Sequence, residues 1–347
     1  MPVVPRQFVR FLFLKLDPAW RHLAAALQVA HKQELAEALR RLHARLLLRC
    51  YSLSGTRGDA DLLLWQVADE LETLQALQTT LFSTRLGAHF SIAYSYLGMN
   101  RRSIYRFPDL PESERHIETR PQDSGYLFVY PFVKTREWYA LPHERRQQMM
   151  DEHVRIGRNH PGVRLNTIYC YGLDDQEFVV AFETDDPGDF LALVMELRET
   201  EASRYTLRDT PTFTCLHMSL WDALDTLGGA VPEAGVATGL EAAVNAGFTS
   251  VASLGELVEG AGKRVYLGSD AIALFRVGDQ VYAVSDRCTH GRASLSEGQV
   301  DPASCVLQCP WHGGQYDLRT GQPLAPPVQA PIRSYRVKVE HGRVWVG

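Results

Sequence analysis

The sequence predicts an α+β protein in two parts: a doubled unit that closes into a β-barrel with outer helices, then a C-terminal all-β sandwich. Three observations predict it. The front two-thirds repeats itself, so that Lys15 and Lys134, Trp20 and Trp138, and Gly55 and Gly172 are separated by one offset to within two residues. Each copy alternates strand and helix patterns in the same order. From Lys263 onward the helix pattern stops, and short alternating apolar runs broken by Gly, Asp and Pro take over.

The first copy, residues 1–110, opens with a strand over 6–16 that runs into Asp17-Pro18-Ala19-Trp20. A Gly55 turn then leads through Asp59 and Asp61 to Leu62-Leu63-Leu64-Trp65, and a helix pattern covers 68–86. Residues 111–124 form a connection rich in Pro, Asp, Glu and Arg, suited to the surface. The second copy, 125–222, repeats the plan with a strand over 126–135, a helix over 142–158, a Gly172 turn leading to a strand over 178–182, and a helix over 189–204. Strand, helix, two strands and helix make half or more of a ferredoxin-like unit. Two tandem ferredoxin-like halves side by side let their antiparallel strands join into one sheet or barrel. Residues 223–262 read as an Ala/Gly/Val-rich linker with one short helix around 240–246. In 263–347, strands are expected at 265–267, 271–277, 281–284, 306–308 and 335–339.

Composition narrows the function. The chain has 347 residues, 45% apolar and 22% charged, with a formal net charge of -5. That balance offers nothing to nucleic acid or an anionic membrane. The most apolar window, 81–99, is interrupted by Arg85 and His89, and residues 1–13 lack a signal-peptide layout. A cytoplasmic protein is expected. Cys50, Cys170, Cys215 and Cys305 show no framework spacing, so reduced thiols are expected there.

The remaining cysteines carry the sharpest signal. Cys288-Thr289-His290 and Cys309-Pro310-Trp311-His312 supply two thiolates and two imidazoles from two mixed pairs. Zinc also accepts two Cys and two His, but zinc fingers usually keep the cysteines in one pair and the histidines in the other. The C-x-H and C-x-x-H pairs resemble those of Rieske [2Fe-2S] proteins, over about the last quarter of the chain. The resemblance implies that Cys288 and Cys309 hold one iron, and His290 and His312 the other. Pro310-Trp311 and Pro326-Pro327 would give the cluster apolar cover. High-potential relatives add a second cysteine pair and a serine where this chain has Gly314, while many ferredoxin-type relatives have Phe where it has Tyr316. A low potential, somewhat raised by the Tyr316 hydroxyl, is expected.

In the second copy, Met149, His153 and Ile156 fall on one apolar stripe of the 142–158 helix, where the repeat offset places Leu35 in the first copy. An inward histidine is either a satisfied core side chain or an axial ligand for haem. The doubled unit resembles the chlorite dismutase family, which includes the coproheme decarboxylases. The likeness rests on Tyr130-Pro131-Phe132-Val133-Lys134, Trp138-Tyr139, Arg145 with Met149-Met150 and His153, Gly172-Leu173-Asp174-Asp175, and Phe182-Glu183-Thr184. By that resemblance His153 is the proximal ligand of haem b or coproheme, Trp138 lines the site, Tyr130 and Lys134 serve catalysis or the porphyrin propionates, and the assembly is a homo-oligomer such as a ring of five. Glu177, Arg145 and Arg146 are lesser candidates for the same neighbourhood. The family's polar distal position is Leu165 here, and Arg164 replaces it only if the strand register shifts by one; otherwise Arg164 faces solvent. Chlorite degradation is therefore not expected.

Together the parts suggest a haem-dependent oxidoreductase. An external reductase would reduce the Rieske cluster, which would reduce the haem for oxygen or peroxide chemistry on a small substrate. Coproheme decarboxylation and non-catalytic haem binding or electron transfer are the alternatives, and a barrel without haem would leave His153 as core filler.

Overall fold

The computed structural model describes residues 6–42, 45–106, 119, 121, 122, 124–229, 248–267, 270–340 and 342–347. The chain divides into two compact units, Met1–Trp20 with His31–Leu227, and Arg21–Ala30 with Gly228–Gly347. Among the described residues no helix is long and apolar enough to cross a membrane.

In the first unit, one copy comprises β1 (Phe8–Leu16), α1 (Ala25–Arg40), β2 (Leu47–Ser52), β3 (Leu62–Ala68), α2 (Leu71–Phe82) and β4 (Phe90–Met99). The other comprises β5 (Tyr126–Lys134), α3 (Arg136–Ala140), α4 (His143–Gly157), β6 (Arg164–Tyr169), β7 (Phe178–Thr184), α5 (Pro187–Glu199), β8 (Thr206–Arg208), β9 (Phe213–Met218) and α6 (Leu220–Asp225). Each copy thus ends in a further long strand, β4 or β9, beyond the sequence expectation. Strand order is β7-β6-β4-β1-β3-β2-β9-β5-β8, all antiparallel, and β5 also pairs with β7 along its length. The sheet closes on itself.

Closure creates an apolar interior and an outer face for helices. Leu63, Trp65 and Val67 of β3 point inward with Phe11, Phe13 and Phe213, and Phe13 stacks on Phe213 at 4.0 Å. Burying each such ring contributes about 1.5–3 kcal/mol. Outside, α2 covers its copy with Leu74, Leu77 and Leu81 at helical spacing. In the second copy, Phe128 and Phe182 of the sheet meet Ile156 of α4 and Phe190 of α5. Local signals start those helices: Thr135 accepts from the Trp138 amide before α3, and Asp186 accepts from the Gly188 amide before α5, with Pro187 in its first turn. The narrowest join is β4–β6, paired through Met99 and Tyr169. There Gly98 is required, since a Cβ would lie 2.6 Å from the Tyr169 carbonyl oxygen and 2.7 Å from the Cys170 sulfur.

The second unit holds three small antiparallel sheets. One contains Gly262–Leu267, Asp270–Val277, Gln280–Ser285 and Ser334–Tyr335; another contains Gln299–Asp301, Val306–Gln308, Gln315–Asp317 and Pro323–Ala325. The third pairs Thr249–Ser253 with Arg343–Val346 and Val337–Glu340, so part of the stretch read as linker is a strand. The helix expected around 240–246, and most of the 111–124 connection, lie outside the described residues.

His160 ties the loop after α4 to α5: its Nδ1 lies 2.5 Å from Asp189 Oδ1 and its Nε2 3.1 Å from Glu196 Oε1. Hydrogen bonding to Asp189 and then Glu196 raises its pKa above the ordinary value. A raised histidine stabilises fully below the unfolded value of about 6.5 and loses its contribution as pH rises through the raised one. His160→Gln is expected to lower the melting temperature more at pH 6 than at pH 9; equal losses would mean that packing, not charge, is what His160 supplies.

Candidate iron-sulfur and haem sites

The first site is built on two loops. Cys288-Thr289-His290 follows the strand Gln280–Ser285, and its backbone is fixed by the Cys288 amide donating to Ala293 O at 3.0 Å. Buried Asp286 anchors the loop, accepting from the Ser294 hydroxyl at 2.5 Å and the Ser296 amide at 2.6 Å, with Arg264 3.3 Å away. The second loop, Cys309-Pro310-Trp311-His312, joins Val306–Gln308 to Gln315–Asp317. It is closed by Cys309 N to Gly314 O at 2.8 Å and Gly313 N to Cys309 O at 3.2 Å, with Gly313 at φ 70°. Ligand atoms of Cys288, His290 and Cys309 all lie within 4.8 Å of one another, and His290 Nε2 lies 2.6 Å from His312 Nδ1. All four expected ligands converge.

Burial sorts them by type: the two cysteines are buried, His290 is half-buried and His312 is exposed. Hydrogen bonding between the thiols holds Cys288 down to about 4, helped by Tyr316 and His290, and pushes Cys309 well above the usual thiol range. One proton is therefore shared between two sulfurs, and a bound cation would displace it. Soft thiolates inside and imidazoles outside fit a cluster with two chemically distinct irons. The fully buried Tyr316 places its hydroxyl 3.3 Å from Cys288 Sγ and 2.8 Å from Thr289 Oγ1, and accepts from the Thr289 amide. Since the Thr289 hydroxyl donates to Ala330 O at 2.9 Å, the tyrosine proton is available to Oγ1 or to the sulfur. A Cβ on Gly314 would lie 2.7 Å from Val328 Cγ1, so a serine there could not be seated without moving Val328.

The second site lies on the helix-covered face of the second copy. The duplicated chain provides its own comparison. In the first copy Lys15 Nζ meets Asp61 Oδ1 at 3.0 Å, and Asp61 Oδ2 also takes the Leu16 amide. In the second, Glu177 takes the Lys134 amide and the Tyr139 hydroxyl, while Lys134 Nζ donates to Ala202 O at 2.8 Å and lies 4.6 Å from the Trp138 ring centre. Burial lowers Lys134 to about 8, with Glu177 acting against it. Burial, then the Lys134 charge, lowers His153 to about 4. The imidazole is neutral at pH 7, and among the described residues no hydrogen bond engages its ring. His153 is half-buried, and its ring nitrogens are not among the buried atoms that lack a partner; a neutral imidazole on the helix stripe of Met149 and Ile156 fits an axial ligand of haem iron.

Tyr130, Phe132 and Lys134 alternate onto one face of β5: its register against β7 is unbroken from Tyr126 to Phe132, Lys134 Nζ lies 5.2 Å from the Phe132 ring centre, and the shift where β5 meets β8 falls on the β8 side, at Leu207. The Tyr130 ring lies 5.9 Å from that of Phe182, and burial raises its phenol pKa. Arg164 does not share the face of Leu165. The register pairs Leu165 with Phe182 on the helix-covered face and Arg164 with Glu183 on the opposite one. Arg145 is engaged by Glu201 at 2.6 Å. The hydrogen-bonded pair of Tyr139 and Tyr171, 2.6 Å apart, escaped the sequence reading, for two tyrosines on different elements have no shared spacing.

Comparisons with known proteins find two families in the chain. Residues 28–218 match the chlorite dismutase family and residues 247–336 the Rieske [2Fe-2S] domain. The coproheme decarboxylase of Mycolicibacterium smegmatis is 34% identical over 165 residues, 47% of this chain and 70% of that protein. The ferredoxin CarAc of Metapseudomonas resinovorans is 46% identical over 80 residues, 23% of this chain and 73% of that protein. The structure of chlorite dismutase from Candidatus Nitrospira defluvii in complex with imidazole superposes with a TM-score of 0.58 at 26% identity, covering 63% of this chain and 94% of that one.

Tyr316→Phe removes the hydroxyl beside Cys288 Sγ. It is expected to lower the cluster's reduction potential by on the order of 40 mV, the equivalent of about 1 kcal/mol for one electron. Spectroelectrochemical titration checks this, and an unaltered potential would show that Thr289 takes the proton.

Proposed function

The chain belongs to the chlorite dismutase family and carries a C-terminal Rieske [2Fe-2S] domain, and on that premise we propose a haem-dependent oxidoreductase supplied with electrons by its own iron-sulfur domain. The observation that carries the reading is the neutral His153 in the same chain as four converging cluster ligands. Cys288 and Cys309 would hold the inner iron, His290 and His312 the outer one, and His153 a haem b or coproheme. When bound, the cluster supplies one-electron storage and the haem supplies one-electron and oxygen chemistry.

The protein's own residues divide the remaining work. Desolvation and Lys134 keep the His153 ring neutral, and so ligand-competent, well below pH 7. Lys134, half-neutral near pH 8 and free of its carboxylate, is suited to hold an anionic group or deliver a proton from Nζ. Leu165, exposed on the helix-covered face, puts an apolar side chain where the family resemblance expects a polar distal group. An external reductase would fill the cluster, and a small organic molecule or an oxidant would receive the electrons. Covalent joining keeps donor and acceptor at high effective concentration.

A second reading, coproheme decarboxylation, is favoured by the likeness to the Mycolicibacterium smegmatis decarboxylase. Tyr130 would then act with Lys134, which shares its face of β5.

Titration with haem is expected to give a stoichiometric Soret band that His153→Ala loses, while the reduced cluster keeps its paramagnetic signal. Absence of the band in the unaltered protein would overturn the reading. Conversion of coproheme to haem b by peroxide alone, with the cluster oxidised throughout, would favour the second.

A further inference from the structure

A groove of about 600 Å³ opens on the first ligand loop and takes in two of the candidate cluster ligands, Cys288 and His290, with Arg287, Arg292 and Arg333 around them. No Asp or Glu is among its lining residues. All three guanidinium groups are exposed. The nearest carboxylates do little to cancel them: Asp286 is buried and committed to Arg264, and Asp270, itself 53% exposed, lies 3.6 Å from Arg333 alone. Because the chain as a whole carries -5, this positive groove is no by-product of a basic protein.

We propose that the groove is the docking surface for a diffusing electron-donor protein that presents carboxylates, an inference that rests on the relay reading. The argument is kinetic. An acceptor joined covalently to the cluster needs no long-range attraction to find it. A donor arriving from solution does, and a cluster of one sign of charge at the entry point raises its encounter rate. With a cluster held there, one electron would pass from the donor to it by way of His290 or His312, the ligands nearest solvent, with no bond made or broken in this chain.

The probe is reduced flavodoxin, an acidic flavoprotein, mixed in stopped flow with the full-length protein carrying its cluster. The second-order rate of cluster reduction is expected to fall about tenfold between low salt and about 0.3 M salt. The double variant Arg292→Glu with Arg333→Glu is expected to lose a similar factor at low salt, while its paramagnetic spectrum and its reduction by photoreduced, uncharged deazaflavin stay unchanged. A flavodoxin rate indifferent to salt and to charge reversal overturns the proposal. So does failure of flavodoxin to reduce a cluster that deazaflavin reduces. If both dependences are met but haem bound through His153 is not reduced afterwards, the docking surface stands and the relay reading falls.

Discussion

Two copies of one β-α-β-β-α-β unit can bury the inner faces of all their strands only by sharing them, and the pairing of β5 with both β9 and β7 completes the sharing. The closed sheet has almost no free edge to protect. Its interior is committed to packed rings, Phe11, Phe13, Trp65 and Phe213 among them. Chemistry is thereby displaced to the outer face, where a helix can hold a side chain against the sheet without opening the core.

Duplication then supplies a contrast that a single copy would lack. The first copy fills the place of His153 with fully buried Leu35 and locks Lys15 to Asp61. The second substitutes an imidazole, lets the acidic partner bind a backbone amide and a tyrosine instead, and leaves the lysine over Trp138. One copy has settled into a structural role. In the other the same framework holds polar groups whose pKa values are moved by burial, which is the pattern expected where a site is maintained.

How much of this was legible followed the physics of each feature. That the four Cys and His side chains would converge was legible because a metal demands fixed residue types at short spacing, and His153 became a candidate because a polar residue interrupted an apolar stripe. Faces depended on register: whether Arg164 or Leu165 met the helices could be decided only by which of them paired with Phe182. The shared face of Tyr130 and Lys134 was legible because β5 keeps its two-residue period, unbroken against β7 from Tyr126 to Phe132. β4, with polar and half-exposed residues on both faces, had no clean two-residue period, and the strand Thr249–Ser253 is too short and polar to stand out from a linker.

Each ligand loop is closed by its own backbone hydrogen bonds, at Cys288 to Ala293 and at Cys309 to Gly314, and the buried Asp286 network fastens the base of the first. The positions of the four candidate ligands are thus set by contacts among residues that are not ligands. Asp286, held by Ser294, Ser296 and Arg264, is the point through which a change in the sheet beneath would reach Cys288.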